Sequence, residues 1–119
     1  MAKKKRTTSV GRAGTSAAER KKTPEAKTGD ALGIVECRGI TAAIEAADSM
    51  VKTADVEVIG TQKIGNALIY TVVTGKVDAV REAVKAGGET ARRLGELYAA
   101  HVMPRPEDVV FEIVKIISG

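Results

Sequence analysis

Few residues in this chain could do chemistry, and their spacing decides which chemistry is open. Gly60 and Gly65 stand at the G-x-x-x-x-G interval of a phosphate-binding loop. That loop requires Lys-Ser/Thr next and then a helix, but Asn66-Ala67 follow and lead into a run of β-formers. The phosphate reading fails on both counts. One histidine, His101, and one cysteine, Cys37, cannot supply a zinc site from a single chain. His101 sits in an apolar strand and reads as a structural histidine. Cys37 reads as a small half-buried side chain, with no basic partner nearby in sequence to activate it. No Ser/His/Asp arrangement stands out, and the carboxylates fall mostly on helix faces expected to meet water. No catalytic residue, metal or cofactor is assigned. What remains is the polar stretch from Thr61 to Leu68, with a cation (Lys63), a glycine (Gly65) and an amide (Asn66) packed into four residues.

The elements that would position this stretch follow from periodicity. Ala31 to Cys37 reads as a strand ended by Gly39. From Thr41 to Thr53 the pattern is helical, with Ile40, Ile44, Ala47 and Val51 forming the apolar stripe expected to face the core. Glu45, Asp48, Ser49 and Lys52 take the other side, and Asp48 can pair with Lys52 at i, i+4. Val56 to Ile59 is a short strand stopped by Gly60, and Leu68 to Thr74 is another, so the polar stretch joins a hairpin. A longer helix spans Val77 to Leu94, with Val77, Val80, Val84, Gly87, Ala91 and Leu94 on one stripe. Gly87-Gly88 in its middle cost about 1 kcal/mol each against alanine, which calls for a close packing contact. Leu97 to Met103 is a fourth strand, closed by Pro104-Arg105-Pro106, whose prolines keep the chain extended around the arginine. Residues 107–117 read as a short helix, with a terminal strand as the alternative. The fold class is α+β: a sandwich of ferredoxin-like order, β-α-β-β-α-β plus a short C-terminal helix. Its four-stranded antiparallel sheet carries helices on one face.

Composition narrows the function further. The 119 residues hold only three aromatics, so the core is built from Val, Ile, Leu, Ala and Met, and self-association would support so small a core. The net charge of +4 is unevenly placed. Residues 1–30 carry nine Lys and Arg against three acids, whereas 31–119 carry ten against twelve. Residues 1–30 are also nearly free of large apolar side chains and read as a disordered basic extension. Lys3-Lys4-Lys5-Arg6 fits a solubilising tail first, with weak nucleic-acid binding or tethering as alternatives. The near-neutral domain is not built to grip nucleic acid, and Tyr70 and Tyr98 lack the basic surroundings of a base-stacking sheet. No apolar run reaches the length of a membrane span, and the single cysteine suits a reducing compartment, so the cytoplasm is expected.

The run ALGIVECRGITAAIEAADSMVKTADVEVIGTQKIGNALIYTVVTGKVDAVREAV, followed by ARRLGELYAAHVMPRP, resembles the BMC domain of bacterial microcompartment shell proteins. That family includes propanediol- and ethanolamine-utilisation shells and carboxysomes. The likeness covers Ala31 to about Glu112, so 31–119 is assigned as the shell domain and 1–30 lies outside it. The resemblance implies cyclic homohexamers that tile into a sheet enclosing enzymes, with other shell proteins and the encapsulated enzymes as partners. It implies a location in the microcompartment shell within the cytoplasm. It also implies that Lys63, Ile64, Gly65, Asn66 and Ala67 line a central pore for small metabolites. Lys52, Asp55 and Arg105 would sit at the contact between hexamers. The family's loop usually reads K-I-G-S-G; here an asparagine brings a bulkier amide, and Ala67 restricts access to positive φ. A small-ligand-binding regulatory oligomer of the same sandwich type is the alternative outside the family.

Overall fold

Runs of β-branched residues and two alanine-rich amphipathic stretches dictate the elements. The computed structural model describes residues 30–118; the expected basic extension, apart from Asp30, lies outside the described residues. The elements are β1 (Ala31–Arg38), α1 (Ile40–Thr53), β2 (Val56–Lys63), β3 (Leu68–Gly75), α2 (Val77–Leu94), β4 (Glu96–Met103) and α3 (Asp108–Ser118). The sheet runs β2-β3-β1-β4 with every neighbouring pair antiparallel, and the expected element order holds. Residues 108–118 are helical, which closes the strand alternative for them.

Gly60 does not stop β2. The strand continues to Lys63, and its register against β3 shifts between Val58 and Gly60. The glycine serves the terminal helix instead. A Cβ at Gly60 would collide with Ser118 and press on Val114 at 3.2 Å, so its absence lets α3 seat against the strand. Tyr70 Oη lies 3.1 Å from Ser118 Oγ and ties the end of α3 to β3.

The two long helices share one face of the sheet, where the larger core gathers around Val35, Met50, Val73, Val80 and Ala91. The short α3 covers part of the opposite face, over Leu32, Tyr70 and Val72. The glycine pair in α2 is explained by contact on two sides. A Cβ at Gly87 would stand 2.6 Å from Met50 Cγ on α1, and one at Gly88 would meet Ala100 on β4.

Most of the stripe expected on α2 packs: Val80, Val84, Gly87 and Ala91 are buried and Val77 is half-buried, but Leu94 at its end is 43% exposed; Arg81, Lys85, Glu89 and Arg92 are exposed as expected. The stripe expected on α1 is not. Ile40, Ile44 and Val51 are 50%, 65% and 42% exposed, while Ala42, Ala43, Ala46 and Met50 are buried. Small side chains let α1 lie close against α2, and the larger aliphatics are turned outward. Two other expectations change. Cys37 is fully buried rather than half-buried, and burial pushes its thiol pKa up. His101 is exposed on β4 opposite Ile34, so it is not a core histidine.

Candidate functional site

The polar stretch narrows to a four-residue turn, Ile64–Ala67, because β2 and β3 pair through Lys63 and Ile69. Leu68 N–H donates to the Gly65 carbonyl at 3.0 Å, and Asn66 and Ala67 between them have φ of 51° and 62°. Gly65 has φ 51° as well, so three successive residues are left-handed, and the bond from Leu68 to Gly65 closes a mirror-image turn, with Asn66 and Ala67 at its centre, inside the four-residue loop. Asparagine suits the first of these positions, whereas glycine is favoured at the second. Ala67 takes the left-handed conformation nonetheless, at a cost of roughly 1 kcal/mol. One compensation is the Gly39 N–H, which donates to the Ala67 carbonyl at 2.8 Å from the start of α1. Gly39 itself has φ 114°, a conformation that its lack of Cβ permits. Lys63, Ile64, Gly65 and Asn66 are exposed and Ala67 is half-buried. All five expected turn residues therefore stand together at one tip of the sheet.

Lys52, Asp55 and Arg105 lie at the other end, Asp55 and Arg105 beside the opposite edge strands β2 and β4. α1 starts beside the turn and ends with Lys52 in its last turn, and Asp55 immediately precedes the Val56–Gly75 pair that opens β2. Arg105 follows Met103, which pairs with Leu32 at the start of β1. All three are exposed. Strands of eight residues separate the two ends by about 25 Å. Lys52 Nζ lies 2.8 Å from Asp48 Oδ2, and that hydrogen bond and charge hold its ammonium above the ordinary lysine range. Among the described residues, none of the ion pairs joins Lys52, Asp55 and Arg105 to one another.

A third feature escaped the sequence reading. Between α1 and the β2–β3 hairpin runs a groove of about 440 Å³, with Ile40, Ile44 and Ala47 on one wall and Val58, Gln62 and Ile69 on the other. Its mouth is bordered by the exposed side of α1. The signal was present in sequence: α1 carries two apolar faces, the second being Ala42, Ala43, Ala46 and Met50, and a helix apolar on two sides packs on two sides. At the end of β1, Arg38 stands over the exposed Tyr98 ring of β4 at 5.4 Å and near Glu96. Among the described residues there is no cluster of three or more His, Cys, Asp or Glu placed to hold a metal, and no helix long and apolar enough to cross a membrane.

An antiparallel α+β sandwich with a protruding turn at one end, exposed charges at the other and an uncovered apolar flank between them has the features of an assembly module. The chain belongs to the BMC domain family, whose model matches residues 31–106. It is 52% identical over 85 residues to the bacterial microcompartment shell protein PduA of Citrobacter freundii, covering 71% of this chain and 91% of that protein. It is 45% identical to the shell protein EutM of Salmonella typhimurium, covering 73% and 91%. It is 43% identical to the carboxysome shell protein CsoS1C of Halothiobacillus neapolitanus, covering 75% and 92%. A solved microcompartment protein from Desulfitobacterium hafniense superposes with a TM-score of 0.65 at 26% identity, over 73% of this chain and 47% of that one. These relatives are structural shell proteins, not enzymes.

Proposed function

We propose that this protein is a subunit of a bacterial microcompartment shell, located in the cytoplasm, and that it forms cyclic homohexamers with the Lys63–Ala67 turn around a central pore. The observation that carries this reading is the separation of features along one sheet. The turn lies at one end, Lys52, Asp55 and Arg105 lie at the other, and the apolar side of α1 borders a groove on the flank between them. In a ring, the turn would face the axis, the groove would receive the next subunit and the charged end would form the rim. Head-to-tail contacts of this kind close when the rotation allows. Burying Ile40, Ile44 and Val51 would be the main driving force.

At the axis, Asn66 and the turn amides would offer hydrogen bonds to small metabolites, and Lys63 would bias passage toward anions. At the rim, Lys52 would lay its stem along the neighbouring ring, exchanging Asp48 for carbonyl partners, and the fork of Arg105 would make its contact directional. Other shell proteins would share these edges, and encapsulated enzymes would lie behind them. The basic segment joins the domain at Asp30, on the rim end of β1, where it would act chiefly as a solubilising tail.

Sedimentation should give a hexamer for the wild type, and Lys52→Ala or Arg105→Ala should leave that hexamer intact while abolishing extended sheets in electron micrographs. Persistence of sheets in both variants would overturn the rim assignment. A trimer that responds to a small effector would instead support a regulatory oligomer.

A further inference from the structure

The turn end is the positive end of a domain that is otherwise slightly acidic. Arg38 ends β1, Lys63 ends β2, and Arg92 and Arg93 occupy the last turn of α2. Gly95 brings that helix end against β1, since a Cβ there would meet the Arg38 carbonyl. Among the described residues, the one acid in the same layer is Glu96, the first residue of β4; Glu36, Glu45 and Glu89 lie further back along their elements. Lys63, Arg92 and Arg93 are exposed, and among the described residues none of them makes an ion pair. Within this group Arg38 has a fixed setting. Its guanidinium stands over the Tyr98 ring at 5.4 Å, so one face of the fork rests on an aromatic platform. Glu96 approaches only Nε, at 3.9 Å, which is beyond hydrogen-bond length. Among the described residues, its terminal nitrogens have no acceptor. Alternation along β1 puts Arg38 on the sheet face that carries α3, but α3 is seated on Leu32, Tyr70 and Val72 and leaves the Arg38 side chain 44% accessible.

We propose that Arg38, held on Tyr98, binds a small oxyanion, a carboxylate or phosphate group, beside the turn. The free end of a planar fork matches two oxygens of such a group, which the point charge of a lysine does not. Lys63, Arg92 and Arg93 raise the local concentration of anions around it. Glu96 is the competitor within the chain, and a ligand that makes two charge-assisted hydrogen bonds displaces its loose contact. In a ring the site would recur once per chain around the axis, on the α3 side, and would collect anions before they reach Lys63. That placement rests on the hexamer and pore reading above; the oxyanion site itself does not.

Calorimetric titration of the full chain with inorganic phosphate, and separately with acetate, tests the inference. The expected result is a saturable site at one anion per chain that is lost in Arg38→Gln. Arg38→Lys keeps the charge but not the fork and should weaken binding about tenfold. Tyr98→Leu should weaken it severalfold by removing the platform, and Glu96→Gln should tighten it severalfold by removing the competitor. All three side chains are exposed, so the melting curves of these variants should match the wild type. Phosphate binding that is unchanged in Arg38→Gln belongs to the basic segment or to Lys63 and overturns the inference. Heat that never saturates, or equal affinity in Arg38→Lys and the wild type, reduces the effect to a diffuse ion atmosphere and overturns it as well. A wild type that sediments as a monomer yet binds one phosphate through Arg38 refutes the ring alone. A ring whose phosphate binding ignores Arg38 refutes the site alone.

Discussion

α1 and α2 lie side by side on the same face of the sheet and both bury small side chains, yet they place their branched aliphatics on opposite sides. α2 turns its valines inward and its charges outward, as a helix with one partner surface should. α1 turns Ala42, Ala43, Ala46 and Met50 inward and leaves Ile40, Ile44 and Val51 exposed. The inner side of α1 is matched to its neighbour by size: Met50 fills the space that Gly87 leaves open. The outer side has no match among the described residues. This difference is what supports the proposed second partner of α1, which would enter at the groove beside Ile40 and Ile44.

The contrast can be broken or sharpened by substitutions on α1 and the turn to which it is tied. Met50→Ala should have the largest effect on folding. It empties the space above Gly87 in the closest part of the core and should cost about 2–5 kcal/mol in urea unfolding. A cost below about 1 kcal/mol would mean that the inner face of α1 is not the packed one.

Next in size is Ala67→Gly. The residue has φ 62°, and its carbonyl accepts from Gly39 N–H at the start of α1. Relieving the Cβ strain should stabilise the protein, net of the added chain entropy, by about 0.5 kcal/mol. Destabilisation of that size would show that the methyl group makes a contact worth more than the strain.

The smallest effect is expected from Asp48→Asn on the exposed side. The Lys52 pKa is raised by the hydrogen bond and charge of Asp48, so removing the charge should lower it toward the ordinary lysine value. Titration of the Lys52 side chain by NMR reads the shift directly. An unchanged value would mean that the pair is not populated, and that Lys52 is already free to reach across a seam.

Most of the fold was legible in sequence because it rests on local signals. The β-branched runs at 31–37 and 68–74 and the stripe of α2 each name their own element. Gly60 and α1 misled for one shared reason: their residues answer to contacts distant in the chain. Gly60 looks like a strand breaker until α3, more than fifty residues later, is seated on it. The isoleucines of α1 look like core until the alanines beside them are seen to set the helix spacing. The turn was visible as a cation, glycine and amide together, but its backbone was not. An alanine at positive φ departs from local preference, and only the hairpin registry and the Gly39 bond account for it. The placement of Lys52, Asp55 and Arg105 at one end became readable only once the strands were paired.

The central claim is that the outer stripe of α1 is a subunit interface rather than a misplaced core. Ile44→Asp, followed by sedimentation velocity and thermal unfolding monitored by circular dichroism, tests it most directly. The account predicts a folded chain that has lost the ring and sediments as a monomer. A ring that persists, or a chain that fails to fold even as a monomer, would contradict it.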